Sequence, residues 1–146
     1  MVKRRGLIMN HVFDVDGTII DYEGNPRNEI IQLIRTLSDS GDGVFVWSGC
    51  GIEYAETICR RVGLLKNYQN PNDVIDGVIC KDATVGKENN ISIAWDDEDV
   101  DLAPLNIKIG QKRFDDEDIP EGEAWDEVAF GQSMAEWMSD NGFNNN

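Results

Sequence analysis

Short apolar runs recur along the amino-acid sequence, separated by longer segments of mixed polarity. Each run is rich in β-branched or aromatic residues and is too short for a buried helix, which is typical of strands covered on both faces. The runs cover residues 7–13, 44–47, 74–80, 91–95 and 105–109. The pattern therefore predicts five strands.

Two of the intervening segments carry apolar residues at helical spacing. The first helix is predicted to begin at Asn25-Pro26, because asparagine is a favourable N-cap and proline suits the first helical position. The second is predicted over residues 51–62, with Gly63 as its C-terminal cap.

The alternation of strands and helices predicts an α/β fold with a parallel central sheet covered by helices on both faces. A chain of 146 residues suits a single domain, residues 1–146, with its core at about residues 7–110. Residues 82–90 are polar and are interpreted as a loop. A last helix is predicted over about residues 123–139.

The first strand leads directly into an acidic turn, Asp14, Asp16, Gly17 and Thr18. Two neighbouring carboxylates repel each other, and burial increases the energetic cost of keeping both ionised. A cation removes the repulsion, and oxygen ligands of this kind suit Mg²⁺. We therefore expect Asp14 to be a nucleophile and Asp16 a general acid/base beside a bound Mg²⁺. The alternative is an ordinary turn, since Asp-Gly is a common turn signal.

Polar side chains also follow the other strands. Ser48 and Gly49 follow the second strand, Lys81 the third, and Asp96 with Asp97 the fourth. Ligands of parallel sheets bind outside the carboxyl ends of the strands, so these groups are expected to converge on one crevice. A carboxylate nucleophile, a metal ion, a lysine and donors for phosphoryl oxygens together suit phosphoryl transfer.

Roles can be assigned to the members of this set. Lys81 is expected to stabilise transition-state charge, and the expected metal ligands are Asp14, Asp16 and Asp97. Asp96 is an alternative to Asp97 as a metal ligand. Asp101 is expected to support the site by holding a metal-bound water or by orienting Lys81. The residues expected to hold the phosphoryl oxygens are Thr18, Ser48 and Gly49.

The ordered set resembles the four motifs of the haloacid dehalogenase superfamily of phosphatases, over residues 7 to about 109. FDVDGT is similar to the first motif, VFVWSG to the second, Lys81 to the third and IAWDD to the fourth. The resemblance implies a Rossmann-like three-layer sandwich with strand order 5-4-1-2-3. It also implies Mg²⁺-dependent hydrolysis of a phosphomonoester through an aspartyl-phosphate on Asp14.

The third motif departs from the family pattern, because its lysine usually lies further ahead of the acidic pair. Lys87 therefore remains an alternative to Lys81, and Lys66 a more distant one. The intervals from Asp14 to Ser48 and from Ser48 to Lys81 are too short for a cap domain. In this family, the capless type often acts on large substrates.

The charge of the chain limits the possible partners. With 28 acidic and 13 basic residues, the formal net charge is −15. A general binder of nucleic acid or of anionic membranes is disfavoured, unless a local basic patch or a metal intervenes. A polynucleotide 3′-end phosphatase-like activity and a non-catalytic acidic mimic of nucleic acid remain alternatives. The expected partner is a phosphorylated substrate of unknown identity. The sequence is also compatible with a homodimer.

The cysteines Cys50, Cys59 and Cys80 form no C-x-x-C pair, which favours reduced thiols in a cytoplasmic protein. Cys50 is expected to be a small buried thiol, and His11 a residue of the core or the surface. The first apolar run is too short and too interrupted for a signal peptide, and we expect no membrane-spanning segment.

Overall fold

A computed structural model of the chain describes residues 8–110. The strands in that range are β1 (Asn10–Asp14), β2 (Gly43–Trp47), β3 (Gly77–Val78), β4 (Ile93–Asp96) and β5 (Leu105–Lys108). The helices are α1 (Asn28–Asp39), α2 (Ile52–Arg61) and α3 (Ala83–Glu88). The chain divides into two compact units, Met1–Ile109 and Gly110–Asn146. The helix predicted at residues 123–139 lies outside the described residues.

The strands form one five-stranded sheet in the order β3-β2-β1-β4-β5. Every neighbouring pair is parallel. The predicted α/β class with a parallel sheet is therefore confirmed, and the order reads 5-4-1-2-3 from the β5 edge. Because β1 lies in the middle, groups at its carboxyl end are flanked by the ends of both β2 and β4.

The centre of the sheet is apolar because β1 is buried along most of its length. Phe13 and Trp95 are fully buried, and their rings stack with centroids 5.2 Å apart. Helix α1 contributes an apolar stripe at helical spacing, as its sequence predicts. The buried residues of that stripe are Ile30, Ile31, Ile34 and Leu37.

His11 belongs to a buried polar network near the amino ends of β1 and β2. Trp95 Nε1 donates to His11 Nδ1 at 3.0 Å, and His11 Nε2 lies 3.1 Å from Asp42 Oδ2. Since Nδ1 accepts a hydrogen bond, the ring proton is on Nε2 and is donated to Asp42. The only histidine of the chain is thus part of the core, one of its two expected places.

Several boundaries differ from the predictions. Residues 82–90 were predicted to be a loop, but they contain α3, because the Asp82 carboxylate caps the helix by accepting from the backbone N–H groups of Thr84 and Val85. The start of α1 was placed too early. The Asp21 carboxylate instead accepts from Glu23 N and Asn25 N, which holds that segment in a turn.

Strand β3 is much shorter than the predicted 74–80, since ladder pairing with β2 is limited to Gly77 and Val78. Within the described range, no helix has the length and apolar character needed to cross a membrane.

Candidate metal centre

Three buried carboxylates meet at the carboxyl ends of the central strands. Asp14 is the last residue of β1, Asp96 is the last residue of β4, and Asp97 follows it. One oxygen from each of the three lies within 4.8 Å of the others. The residues are 6%, 1% and 8% exposed, respectively, so these charges are largely withdrawn from water. We call Asp14, Asp96 and Asp97 the carboxylate cluster.

Asp97 was the expected metal ligand, with Asp96 as its alternative. Consecutive residues of a strand point to opposite faces. The structure brings both to the cluster. Strand β4 ends at Asp96, so Asp97 lies beyond the alternating part of the chain. The Asp97 carboxylate also accepts a hydrogen bond from the hydroxyl of Tyr22.

Among residues 8–110, the cationic side chain that contacts the carboxylate cluster is that of Lys81. Its Nζ lies 3.1 Å from Asp14 Oδ1 and 2.7 Å from Asp96 Oδ2. Lys87 is exposed on α3 and lines a separate cavity that also contains the exposed Asp101. The geometry thus places Lys81, rather than Lys87 or Asp101, at the carboxylates.

Burial and crowding perturb the protonation of these groups. The pKa of Asp14 is raised to about 7, first by burial and then by repulsion from Asp96, while Lys81 opposes the shift. Burial acts to lower the pKa of Lys81, but hydrogen bonds and attraction to Asp96 and Asp14 outweigh it and raise the pKa. The pKa of Asp97 is also raised, chiefly by burial.

The donor chemistry of the cluster fits a divalent cation. Three carboxylates face one ammonium, so full ionisation leaves an uncompensated negative charge in a buried place. The raised pKa of Asp14 reflects that imbalance. A hard cation such as Mg²⁺ takes oxygen ligands of this type, and Asp14, Asp96 and Asp97 are the residues placed to hold it.

Asp16 is not among the carboxylates whose oxygens lie within 4.8 Å of one another. Its Oδ1 accepts a hydrogen bond of 2.6 Å from the hydroxyl of Tyr54, and its Oδ2 lies 4.0 Å from Cys50 Sγ. The hydrogen bond to Asp16, followed by burial, raises the pKa of Tyr54 to about 12. The expected ligand set of Asp14, Asp16 and Asp97 thus differs by one member from the observed cluster.

The turn after β1 brings Asp97 close to the backbone. Gly17 has a φ of +81°, and a side-chain carbon there would lie 2.6 Å from Asp97 Cγ. Arg27 Nη1 donates to the Gly17 carbonyl at 2.9 Å, which holds the turn. The Thr18 hydroxyl is fully buried and has no hydrogen-bond partner within residues 8–110.

The turn after β2 is open to solvent. Ser48 is buried, and its Oγ accepts a hydrogen bond of 3.0 Å from Cys50 N. Gly49 is exposed, and a side chain there would meet open space. Cys50 is exposed as well, so the prediction of a buried thiol is wrong, because this turn carries the chain outward before α2 begins.

Sequence reasoning missed two tyrosines, Tyr22 and Tyr54. Each is polar only at its hydroxyl, and neither lies within one of the apolar-run-plus-acid motifs. The hydroxyls nevertheless contact Asp97 and Asp16, respectively. Only the folding of the 21–26 segment and of α2 over the strand ends brings them there. Comparisons with family models, with curated proteins and with solved structures find no match to this chain.

Proposed function

We propose that the chain is a Mg²⁺-dependent phosphomonoester hydrolase of the haloacid dehalogenase type, with Asp14 as nucleophile. The observation that carries the proposal is the buried Asp14 carboxylate, which lies 3.1 Å from Lys81 Nζ and beside two further carboxylates. The strand order supports it. The intervals β1–β2 and β2–β3 hold only α1 and α2 as regular elements, which supports the capless type.

In the first step, an Asp14 oxygen attacks phosphorus and forms a new P–O bond. The bond from phosphorus to the leaving oxygen breaks, and that oxygen keeps the electron pair. Asp16 donates a proton to it, so the alcohol leaves neutral. Lys81 Nζ is placed to attract the phosphoryl oxygens as negative charge accumulates on them.

In the second step, Asp16 takes a proton from water, and the water oxygen attacks phosphorus. The bond between phosphorus and Asp14 breaks, which restores the carboxylate and releases inorganic phosphate. Tyr54 holds the Asp16 carboxylate in place throughout. Bound Mg²⁺ would supply positive charge that lets the anionic nucleophile approach an anionic substrate.

The proposal is tested by measuring hydrolysis of an aryl phosphate by the full chain with Mg²⁺ and with EDTA. We expect turnover with Mg²⁺ and its loss with EDTA. A wild-type protein inert toward a broad panel of phosphorylated nucleotides, sugars and peptides would contradict the proposal. That result would favour the non-catalytic acidic protein.

The pKa of Asp14 predicts how metal binding depends on pH. In the metal-free protein this carboxyl has a pKa of about 7, so Mg²⁺ must displace a proton below that pH. We expect the apparent affinity for Mg²⁺ to weaken about tenfold from about pH 8 to about pH 6. Calorimetric titration with Mg²⁺ measures it. In Asp14→Asn this pH dependence should become much weaker, with Asp97 leaving a residual effect, and an affinity that stays flat in wild type would contradict the prediction.

Removal of the Tyr54 hydroxyl tests the role of Asp16. Tyr54→Phe removes the hydroxyl that donates a hydrogen bond of 2.6 Å to Asp16, the proposed general acid/base. We expect kcat to fall about tenfold on phenyl phosphate, whose leaving group needs protonation, and less than about threefold on 4-nitrophenyl phosphate.

The matched control is Thr57→Val, because this change also removes one hydroxyl from α2, which within residues 8–110 donates only to the Glu53 carbonyl. The control should retain wild-type rates on both substrates. Equal losses on the two substrates in Tyr54→Phe would show that the hydroxyl does not act through leaving-group protonation.

A further inference from the structure

Tyr22 links the protein surface to the carboxylate cluster. Its side chain is 66% exposed, so it contributes little apolar burial to the core. Its hydroxyl nevertheless donates a hydrogen bond to Asp97 Oδ2, and Asp97 is buried. The two residues are 75 positions apart in the chain, so the fold, rather than local sequence, creates this contact.

The turn after β1 leaves room for this contact. A side-chain carbon at Gly17 would lie 2.6 Å from Asp97 Cγ and 2.9 Å from the Tyr22 hydroxyl oxygen. Both groups therefore occupy the space that a larger residue at Gly17 would fill. The carboxylate of Asp97 and the hydroxyl of Tyr22 are thus packed against the same point of the backbone, which restricts where either can move.

Hydrogen bonds hold the segment that carries Tyr22 in place. Within the turn, Asp21 N donates to the Asn25 carbonyl at 2.9 Å, and Gly24 N donates to the Asp21 carbonyl at 3.0 Å. From α2, Arg61 Nη2 donates to the Gly24 carbonyl at 2.8 Å. A side chain on a fixed turn loses little entropy when it binds a neighbour, so Tyr22 is well placed to orient Asp97.

A hydrogen bond to one oxygen limits how a carboxylate binds a cation. A carboxylate can bind through one oxygen or through both. Because Asp97 Oδ2 accepts from Tyr22, that oxygen is less available to an ion, and binding through a single oxygen is favoured. Hydrogen-bond partners of this kind orient metal ligands and typically contribute about 10-fold to 100-fold to metal affinity.

We propose that Tyr22 is a positioning residue, which orients Asp97 for one-oxygen binding of Mg²⁺ and thereby favours Mg²⁺ over Ca²⁺. Mg²⁺ requires near-octahedral ligands at about 2.1 Å, so its affinity depends on the orientation of each ligand. Ca²⁺ accepts about six to eight oxygens in a flexible arrangement, including both oxygens of one carboxylate. The inference rests on the metal centre of the proposed function and names what selects its ion.

The test is calorimetric titration of the full chain with Mg²⁺ and, separately, with Ca²⁺, at about pH 8 and without substrate. Tyr22→Phe keeps the ring and removes only the hydroxyl. We expect the affinity for Mg²⁺ to fall about tenfold and the affinity for Ca²⁺ to fall less than about threefold. The preference for Mg²⁺ over Ca²⁺ should therefore become smaller.

Tyr68→Phe is the matched control, because it removes the hydroxyl of a fully exposed tyrosine in the loop after α2. This variant should bind both ions like wild type. Equal losses of Mg²⁺ and Ca²⁺ affinity in Tyr22→Phe would indicate a general loosening of the site and would overturn the inference. Unchanged or tighter Mg²⁺ binding would also overturn it, since the hydroxyl would then have no effect on the ion or would compete with it.

These titrations need no turnover, so they separate the inference from the proposed function. Mg²⁺ binding that depends on Tyr22, in a protein that hydrolyses no phosphate, would support the inference and contradict the proposed function. Mg²⁺-dependent hydrolysis of an aryl phosphate, with equal Mg²⁺ affinities in wild type and Tyr22→Phe, would support the proposed function and overturn the inference. A wild-type protein that does not bind Mg²⁺ would overturn the inference as well.

Discussion

Replacing Asp14 with asparagine is expected to abolish turnover while stabilising the metal-free protein. Asparagine cannot act as the nucleophile, so hydrolysis of an aryl phosphate should fall by about 10⁴-fold or more. The shape of the side chain is retained, and Lys81 keeps its 2.7 Å ion pair with Asp96. The loss of activity would therefore not arise from an unpaired cation.

The gain in stability follows from the sign of the pKa shift. The pKa of Asp14 rises from 3.8 to about 7 on folding, so the folded state binds more protons than the unfolded state between these values. Stability therefore falls as pH rises through this window. Asp14→Asn removes that term and should raise the unfolding free energy by roughly 2–4 kcal/mol at about pH 8, and far less at about pH 4.

Denaturant unfolding of the metal-free protein at several pH values measures this difference. Asp99→Asn is the matched control, because Asp99 is an exposed carboxylate paired only with Lys108 among the described residues. It should change neither activity nor the pH dependence of stability. Residual turnover in Asp14→Asn near the wild-type rate would contradict the assignment of the nucleophile.

Replacing Lys81 with glutamine is expected to weaken both catalysis and the fold. It removes the cation that lies at 3.1 Å from Asp14 and 2.7 Å from Asp96. In the metal-free protein the carboxylate cluster is then uncompensated, which should cost about 3–5 kcal/mol at about pH 8. Turnover should fall about 10²–10³-fold, since a charge aimed at the phosphoryl oxygens is lost.

Two measurements distinguish these effects. Saturating Mg²⁺ should restore much of the unfolding free energy of Lys81→Gln, because the added charge neutralises the same carboxylates, but it should not restore turnover. Lys87→Gln is the control, since this lysine is exposed on α3 and was the alternative in the sequence. A larger loss of activity in Lys87→Gln than in Lys81→Gln would reverse the assignment.

Local patterns in the sequence were sufficient to predict the strands that lead to Asp14 and Asp96 and the presence, though not the length, of a strand before Lys81, because a buried strand has few alternatives to an apolar run ended by polar residues. They were not sufficient for α3. Its residues lack an apolar stripe, and the helix depends on the Asp82 cap and on packing of Gly86 against Trp47. Such a contact between distant segments leaves no local pattern to recognise.

The sequence alone determined the acidic turn after β1, the polar ends of the neighbouring strands and the parallel α/β class, since strand periodicity and turn chemistry are properties of adjacent residues. The tertiary structure alone decided that Asp96 and Asp97 both join Asp14, and that Lys81 rather than Lys87 meets them. It also placed the Tyr54 hydroxyl on the Asp16 carboxylate. Those contacts join residues far apart in the chain, so they exist only once the sheet has aligned its strand ends.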